Sequence, residues 1–229
     1  MDNNSSEKNA FVMGFTGGIG QEVLKALARE KLFAKVVLIG RRKVEFDDEE
    51  LKTWEQRIVD FDNLSKHTED FKDLHVGFCS LGTTRAKAGK EGFYKIDHDY
   101  VLESAKLAKD GGCEEFHYVS SAGADKSSMF FYLKTKAEIE DDLSKVGFNR
   151  LSIYRPKMLL GKRDEARMGE RVAKFLLKPI VALSPTALSV PMEDVAKAML
   201  NNSKKSINES VEILDNVACH NLSKEGNSK

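Results

Sequence analysis

The stretch Ala10-Phe11-Val12-Met13-Gly14-Phe15-Thr16-Gly17-Gly18-Ile19-Gly20 decides how this chain is read. Its first four residues are an apolar run of the length of a buried strand. Beyond it Val23, Leu24, Leu27 and Ala28 recur at helical spacing. Strand, glycine turn and helix in that order aim backbone N–H groups and a helix N-terminus at a phosphate. Glycine suits such a turn because a side chain would block a pyrophosphate or forbid positive φ. A glycine run alone is weak, since tight turns use glycine for local reasons, so the flanking strand and helix carry the reading. The spacing is G-x-x-G-x-x-G, with Gly18 extra, and not the G-x-G-x-x-G of most nicotinamide dehydrogenases.

Outward from this unit the alternation repeats. Strand-like runs lie at 11–14, 36–40, 57–60, 76–81, 116–121, 151–155 and 211–214, with helical patterns at 21–30, 64–71, 100–109 and 131–146. Repeated β–α alternation implies an α/β fold: a doubly wound, Rossmann-like parallel sheet with helices on both faces and a small C-terminal substrate-side lobe. The expected organisation is a disordered leader at 1–9 and one nucleotide-binding domain at 10–222. A substrate-side rim at about 160–191 and a disordered tail at 223–229 complete it. Lys+Arg and Asp+Glu number 36 each, so no global field recruits nucleic acid or an anionic membrane, and only local patches could. No apolar run has the length of a transmembrane helix, and no signal-peptide pattern opens the chain. Cys79, Cys113 and Cys219 are far apart and read as reduced thiols of a cytoplasmic or nuclear protein. The five histidines are scattered without metal-ligand spacing, so no metal is expected.

The second strand runs into Arg41 and Arg42, where NAD-binding folds place an acid for the ribose 2′-hydroxyl. Cations at that place favour a 2′-phosphate, hence NADPH over NADH. The competing reading is a basic solvent-facing turn. Tyr132 and Lys136 stand four apart on a helical pattern, which puts an ammonium near a phenol. A nearby cation favours phenolate and suits the tyrosine to proton transfer. Tyrosine and lysine four apart are a frequent accident, and the upstream strand changes the weighing. It ends in Ser120-Ser121 at the carboxyl edge, where α/β sheets bind ligands. One serine suits turn or capping chemistry, and substrate contact is assigned to Ser121.

The combination of the glycine turn, Ser121, Tyr132 and Lys136 resembles an atypical short-chain dehydrogenase/reductase. Much of the chain, from about 11 to about 222, resembles the Tat-interacting protein oxidoreductase family of NADPH-binding regulators. The resemblance is carried by Leu38-Ile39-Gly40-Arg41-Arg42-Lys43, by Val76-Gly77-Phe78-Cys79 with Leu81-Gly82-Thr83-Thr84-Arg85, and by Ser120-Ser121 with Gly123-Ala124-Asp125-Lys126-Ser127-Ser128. It implies that Thr16, Gly17, Gly18 and Ile19 line the pyrophosphate, that Arg41 and Arg42 hold the 2′-phosphate, and that Leu81 and Gly82 pass under the adenosine-side ribose. It further implies Tyr132 as catalytic acid, Lys136 on the nicotinamide ribose, and Leu159 and Arg167 closing over the nicotinamide end. Asp60 and Phe61 would flank the adenine. The asparagine of the superfamily's proton relay has no clear counterpart, with Asp97 a stand-in, and the interval from Ser121 to Tyr132 is short. Two functions follow: an NADPH-dependent reductase of a small carbonyl substrate, or an NADPH-sensing regulator with protein partners in transcription or nuclear transport.

Overall fold

The computed structural model describes residues 8–161 and 188–225. Seven parallel strands form one sheet: β1 (Asn9–Met13), β2 (Lys35–Gly40), β3 (Glu55–Ile58), β4 (Val76–Cys79), β5 (Glu115–Val119), β6 (Arg150–Tyr154) and, after the small pair β7 (Met158–Leu160) and β8 (Ser189–Pro191), β9 (Val211–Leu214). The order is β3-β2-β1-β4-β5-β6-β9. Winding therefore reverses between β1 and β4, and that reversal opens a crevice at the carboxyl ends of these two strands.

Alternation along each strand sends side chains to two apolar layers. Val12, Leu38, Phe78 and Tyr154 pack in one layer with α1 (Gly18–Glu30), Leu51 of the short α2 (Glu49–Lys52), α6 (Met192–Ser203) and α7 (Asn216–Lys224). Phe11, Val37, Phe116 and Tyr118 pack on the other face, with Val101 and Ala105 of α4 (Tyr100–Asp110) and Ile139 and Leu143 of α5 (Phe131–Ser144).

Four local expectations change. The sheet begins at Asn9, inside the stretch read as leader, because Asn9 Nδ2 donates to Asp73 O at 2.8 Å and Lys8 Nζ reaches Glu115 Oε1 at 2.9 Å. Ser223 and Lys224, read as tail, lie in α7. The apolar spacing at 64–71 folds as two 3₁₀ turns, Phe61–Lys66 and Thr68–Phe71, and not as an α-helix. Asn63 breaks the helical backbone at φ −137° and ψ 42°, and the Asp60 carboxylate accepts from the Asp62 N–H, starting a fresh turn. Finally, α3 (Arg85–Tyr94) continues through a π-helical turn, Lys95–Asp99, into α4. Its polar sequence, with Gly89 at φ 72°, lacks the periodicity that announces a helix.

Candidate cofactor and catalytic site

Backbone approach builds the first part of the site. Gly14 sits at φ +77°, and a Cβ there would lie 2.5 Å from Leu81 N and from Ser80 C in the loop after β4. A Cβ on Gly20 would lie 2.3 Å from Gly14 O. Only glycine allows the turn, the start of α1 and the β4 loop to meet this closely. Gly17 N–H donates to Gly14 O at 2.9 Å and closes the turn. Gly17 is the N-cap of α1 without a side-chain acceptor, and the first turn contains no acid, so the terminal N–H groups and the positive end of the helix face outward. Thr16 and Gly17 are exposed beside them, whereas the Ile19 side chain is in the core and has only its backbone to offer.

The second part lies beyond β2 and β3. Arg41 and Arg42 are exposed, and neither makes a salt bridge among the described residues. Arg41 borders a cleft of about 530 Å³ lined by Ile58, Val59, Asp60, Phe61 and Tyr100. Phe61 and Tyr100 hold their ring centroids 5.3 Å apart, and the Tyr100 hydroxyl donates to Asp62 Oδ1 at 2.5 Å. The cleft offers apolar side chains and aromatic rings of the size of a base, with Asp60, Asp62 and His67 also in its lining, next to two cations that make no salt bridge among the described residues.

Between these parts and α5 lies a buried polar cluster. Lys136 Nζ pairs with Asp97 Oδ1 at 2.8 Å and donates to the Tyr118 hydroxyl at 3.1 Å. Thr83 N–H donates to Asp97 Oδ2 at 2.7 Å, and a Cβ on Gly82 would meet Asp97 Oδ1 at 3.0 Å. Burial opposes the ammonium, and Tyr118, Asp97 and Tyr132 outweigh it, so Lys136 titrates above the usual lysine range. Burial pushes the Tyr118 phenol up in turn, which leaves it neutral. Asp97 therefore supplies the countercharge. Tyr132 is 39% exposed, with its ring 5.5 Å from that of Phe93. The spacing argument expected the Lys136 ammonium at the Tyr132 phenol; its hydrogen bonds go instead to Asp97 and Tyr118. Tyr118 was not singled out from sequence. Its alternation with His117 along β5 places it on the α5 face, the one signal that pointed to it.

The two serines separate by environment. Ser120 is buried and donates to Glu140, which also binds Arg155. Ser121 is only half-buried, and its hydroxyl makes a long contact of 3.3 Å to Ala122 O. Leu159 in β7 is half-buried against the layer containing α1 and α6. Arg167 and most of the expected rim lie outside the described residues. Cys79, Cys113 and Cys219 are buried free thiols, each pushed up to about 12 by burial. Among the described residues no group of three or more His, Cys, Asp or Glu is placed to hold a metal ion, and no helix is long and apolar enough to cross a membrane.

A seven-stranded parallel sheet that reverses at a glycine turn, with tyrosine and lysine four apart beside its carboxyl edge, defines a short-chain dehydrogenase/reductase-like protein. Solved structures agree on the fold. A UDP-glucose 4-epimerase from Thermotoga maritima superposes with a TM-score of 0.67 at 16% identity, covering 96% of this chain and 84% of that one. A short chain dehydrogenase family protein from Francisella tularensis gives 0.63 at 13%, covering 93% and 98%. No family model matches the chain. Protein HTATIP2 of Rattus norvegicus is 44% identical over 218 residues, 95% of this chain and 90% of that one. Protein FMP52, mitochondrial, of Candida albicans is 36% identical over 220 residues, 87% and 90%. The chain belongs to the HTATIP2 family, an atypical branch of the short-chain dehydrogenases/reductases. The fungal relatives overturn one expectation: they are named as mitochondrial proteins, against the cytoplasmic or nuclear location read from the cysteines. Buried thiols with raised pKa values are inert in any compartment, so cysteine number was a poor guide.

Proposed function

We propose that the protein is an NADPH-dependent oxidoreductase that reduces a small carbonyl compound. The observation that carries this reading is the placement of a half-exposed Tyr132 one helical turn from Lys136, whose charge is locked in place by Asp97. NADPH fits the residues present. The glycine cradle has no room for a Cβ, the N-terminus of α1 has no side-chain cap, and Arg41 and Arg42 are exposed and make no salt bridge among the described residues, which suits a 2′-phosphate. Thr16, Gly17, Gly18 and Ile19 would hold the pyrophosphate, and Leu81 and Gly82 would lie beneath the ribose. Asp60, Phe61 and the adjoining cleft would take the adenine, with Leu159 and Arg167 at the nicotinamide end.

When bound, NADPH supplies hydride. Ser121 holds the substrate oxygen by a hydrogen bond, and Tyr132 donates its hydroxyl proton to that oxygen. The Lys136 ammonium stabilises the negative charge that develops on the phenol. Asp97 keeps Lys136 in position and ties it, through Thr83, to the loop beneath the ribose. The fungal names support a mitochondrial site of action. A second reading, a regulator whose partner surface responds to NADPH with little turnover, is favoured by one observation: Lys136 gives its direct hydrogen bonds to Asp97 and Tyr118 and none to Tyr132.

The test is NADPH oxidation on a panel of aldehydes and ketones. Tyr132→Phe is expected to keep NADPH affinity and lose turnover about 10²–10⁴-fold. Turnover unchanged by Tyr132→Phe would reject the acid assignment. A wild type inert on the panel, with partner capture that responds to NADPH, would support the regulator.

A further inference from the structure

The turn that leads into α5 carries two adjacent apolar side chains in water: Met129 is 99% exposed and Phe130 73%. Both lie outside the carboxyl edge of the sheet, in the loop between β5 and Tyr132. Two cations stand over the ring that follows them in sequence, and two more are exposed on the helices that carry these groups. The Arg85 guanidinium stands 5.8 Å from the centroid of the next ring, Phe131, and Lys90 Nζ stands 5.0 Å from it. Lys87 is exposed on the same short helix, and Lys134 is exposed one turn on from Phe131. None of these four makes a salt bridge among the described residues. The neighbouring acids do little to cancel them. Asp125 spends its carboxylate on the N–H and hydroxyl of Ser127, both at 2.8 Å, Asp141 pairs with Lys126, and the first turn of α5 contains no acid. Among the described residues, Glu91 is exposed on α3 and Glu138 is half-buried on α5, one turn on from Lys134.

Two protruding side chains on a turn are a poor protein interface, which needs on the order of 800 Å² from each partner. They suit a bilayer, where an apolar tip enters the headgroup boundary and basic residues meet anionic lipid. We propose that Met129 and Phe130, with Arg85, Lys87, Lys90 and Lys134, form a peripheral docking site for an anionic phospholipid surface, which turns the carboxyl edge of the sheet toward the membrane. A chain with balanced total charge has no global attraction to such a surface, so the binding depends on this patch. The docking is independent of turnover.

The full chain is to be sedimented with phosphatidylcholine vesicles and with vesicles containing about 30% phosphatidylserine. The expected result is binding to the anionic vesicles, weakened by salt and at least about fivefold weaker on neutral ones. Lys90→Glu is expected to lower anionic binding by about fivefold or more, and the Met129→Ser/Phe130→Ser double variant by about tenfold. Ile213→Ser, at an exposed apolar residue on the outer strand β9, is expected to bind as wild type. Absence of binding to anionic vesicles, equal binding to neutral ones, or full binding by the double variant would overturn the proposal. So would a dimer in solution that the double variant dissociates, since a second copy would then cover the patch.

Discussion

The two halves of the candidate site are held by different forces. Around β1, α1 and the loop after β4, main chain meets main chain at distances only glycine permits, and hardly a side chain is involved. Around β5 and α5 the geometry depends on one buried ion pair, Lys136 with Asp97, and on the phenol of Tyr118. A backbone cradle is insensitive to charge and intolerant of volume. A buried ion pair depends on charge and fails when one charge is removed. Asp97 joins the halves, since its second oxygen holds Thr83 N–H beside Gly82.

The sharpest way to break the comparison is to remove charge from the second half alone. Asp97→Asn keeps the size and leaves the Lys136 ammonium buried without a countercharge. The expected loss of folding stability is about 3–5 kcal/mol, read by denaturant unfolding. The pH dependence has a definite sign. Because the folded lysine titrates above the unfolded one, the pair contributes fully below the usual lysine range and loses its contribution as pH rises from there through the raised folded pKa. That alkaline decline should flatten in Asp97→Asn. Stability of the variant within about 1 kcal/mol of wild type would mean that Tyr118 alone carries Lys136.

The converse is to add volume to the first half alone. Gly20→Ala places a methyl against Gly14 O and the Phe15 Cα, neither of which can rotate away. A stability cost of about 1–3 kcal/mol is expected, with loss of NADPH binding as the α1 amides shift. Calorimetric titration checks it, and unchanged affinity would remove the cradle from the account.

His117 sharpens the contrast between the two faces of β5. It lies opposite Tyr118, stacked on Phe78 with Nδ1 3.0 Å from the Tyr154 hydroxyl, and burial holds its pKa down at about 3. Below about pH 6.5 the unfolded chain binds a proton that the folded chain refuses, so stability falls as pH drops from there toward 3. His117→Phe should unfold less steeply with acid over that window, as followed by circular dichroism.

The contrast also explains what sequence could and could not reveal. Six of the seven strands of the sheet are legible as short apolar runs, and the glycine turn is legible because its cause is local; β3, Glu55–Ile58, is polar at three of its four residues and begins two residues before the run read at 57–60. Helix α5 was readable from spacing, and with it the shared face of Tyr132 and Lys136. The partner of Lys136 was not, because Asp97 lies 39 residues away (136 minus 97) on a π-helical turn with no apolar periodicity. The 3₁₀ turns at 61–71 were hidden for the opposite reason. Phe61, Leu64 and Phe71 do fall at helix-like intervals, yet the non-helical backbone at Asn63 and at His67 restarts the chain between them.

Affinity for the two nicotinamide cofactors tests the central claim, that this edge is built for NADPH. Fluorescence titration of wild type with NADPH and NADH, and of Arg41→Ala with both, is the measurement. Charge-assisted hydrogen bonds of about 1.5–3 kcal/mol each predict at least a tenfold preference for NADPH in wild type. Arg41→Ala should lose most of that preference and leave NADH affinity nearly unchanged. Equal affinity of wild type for the two cofactors would contradict the account.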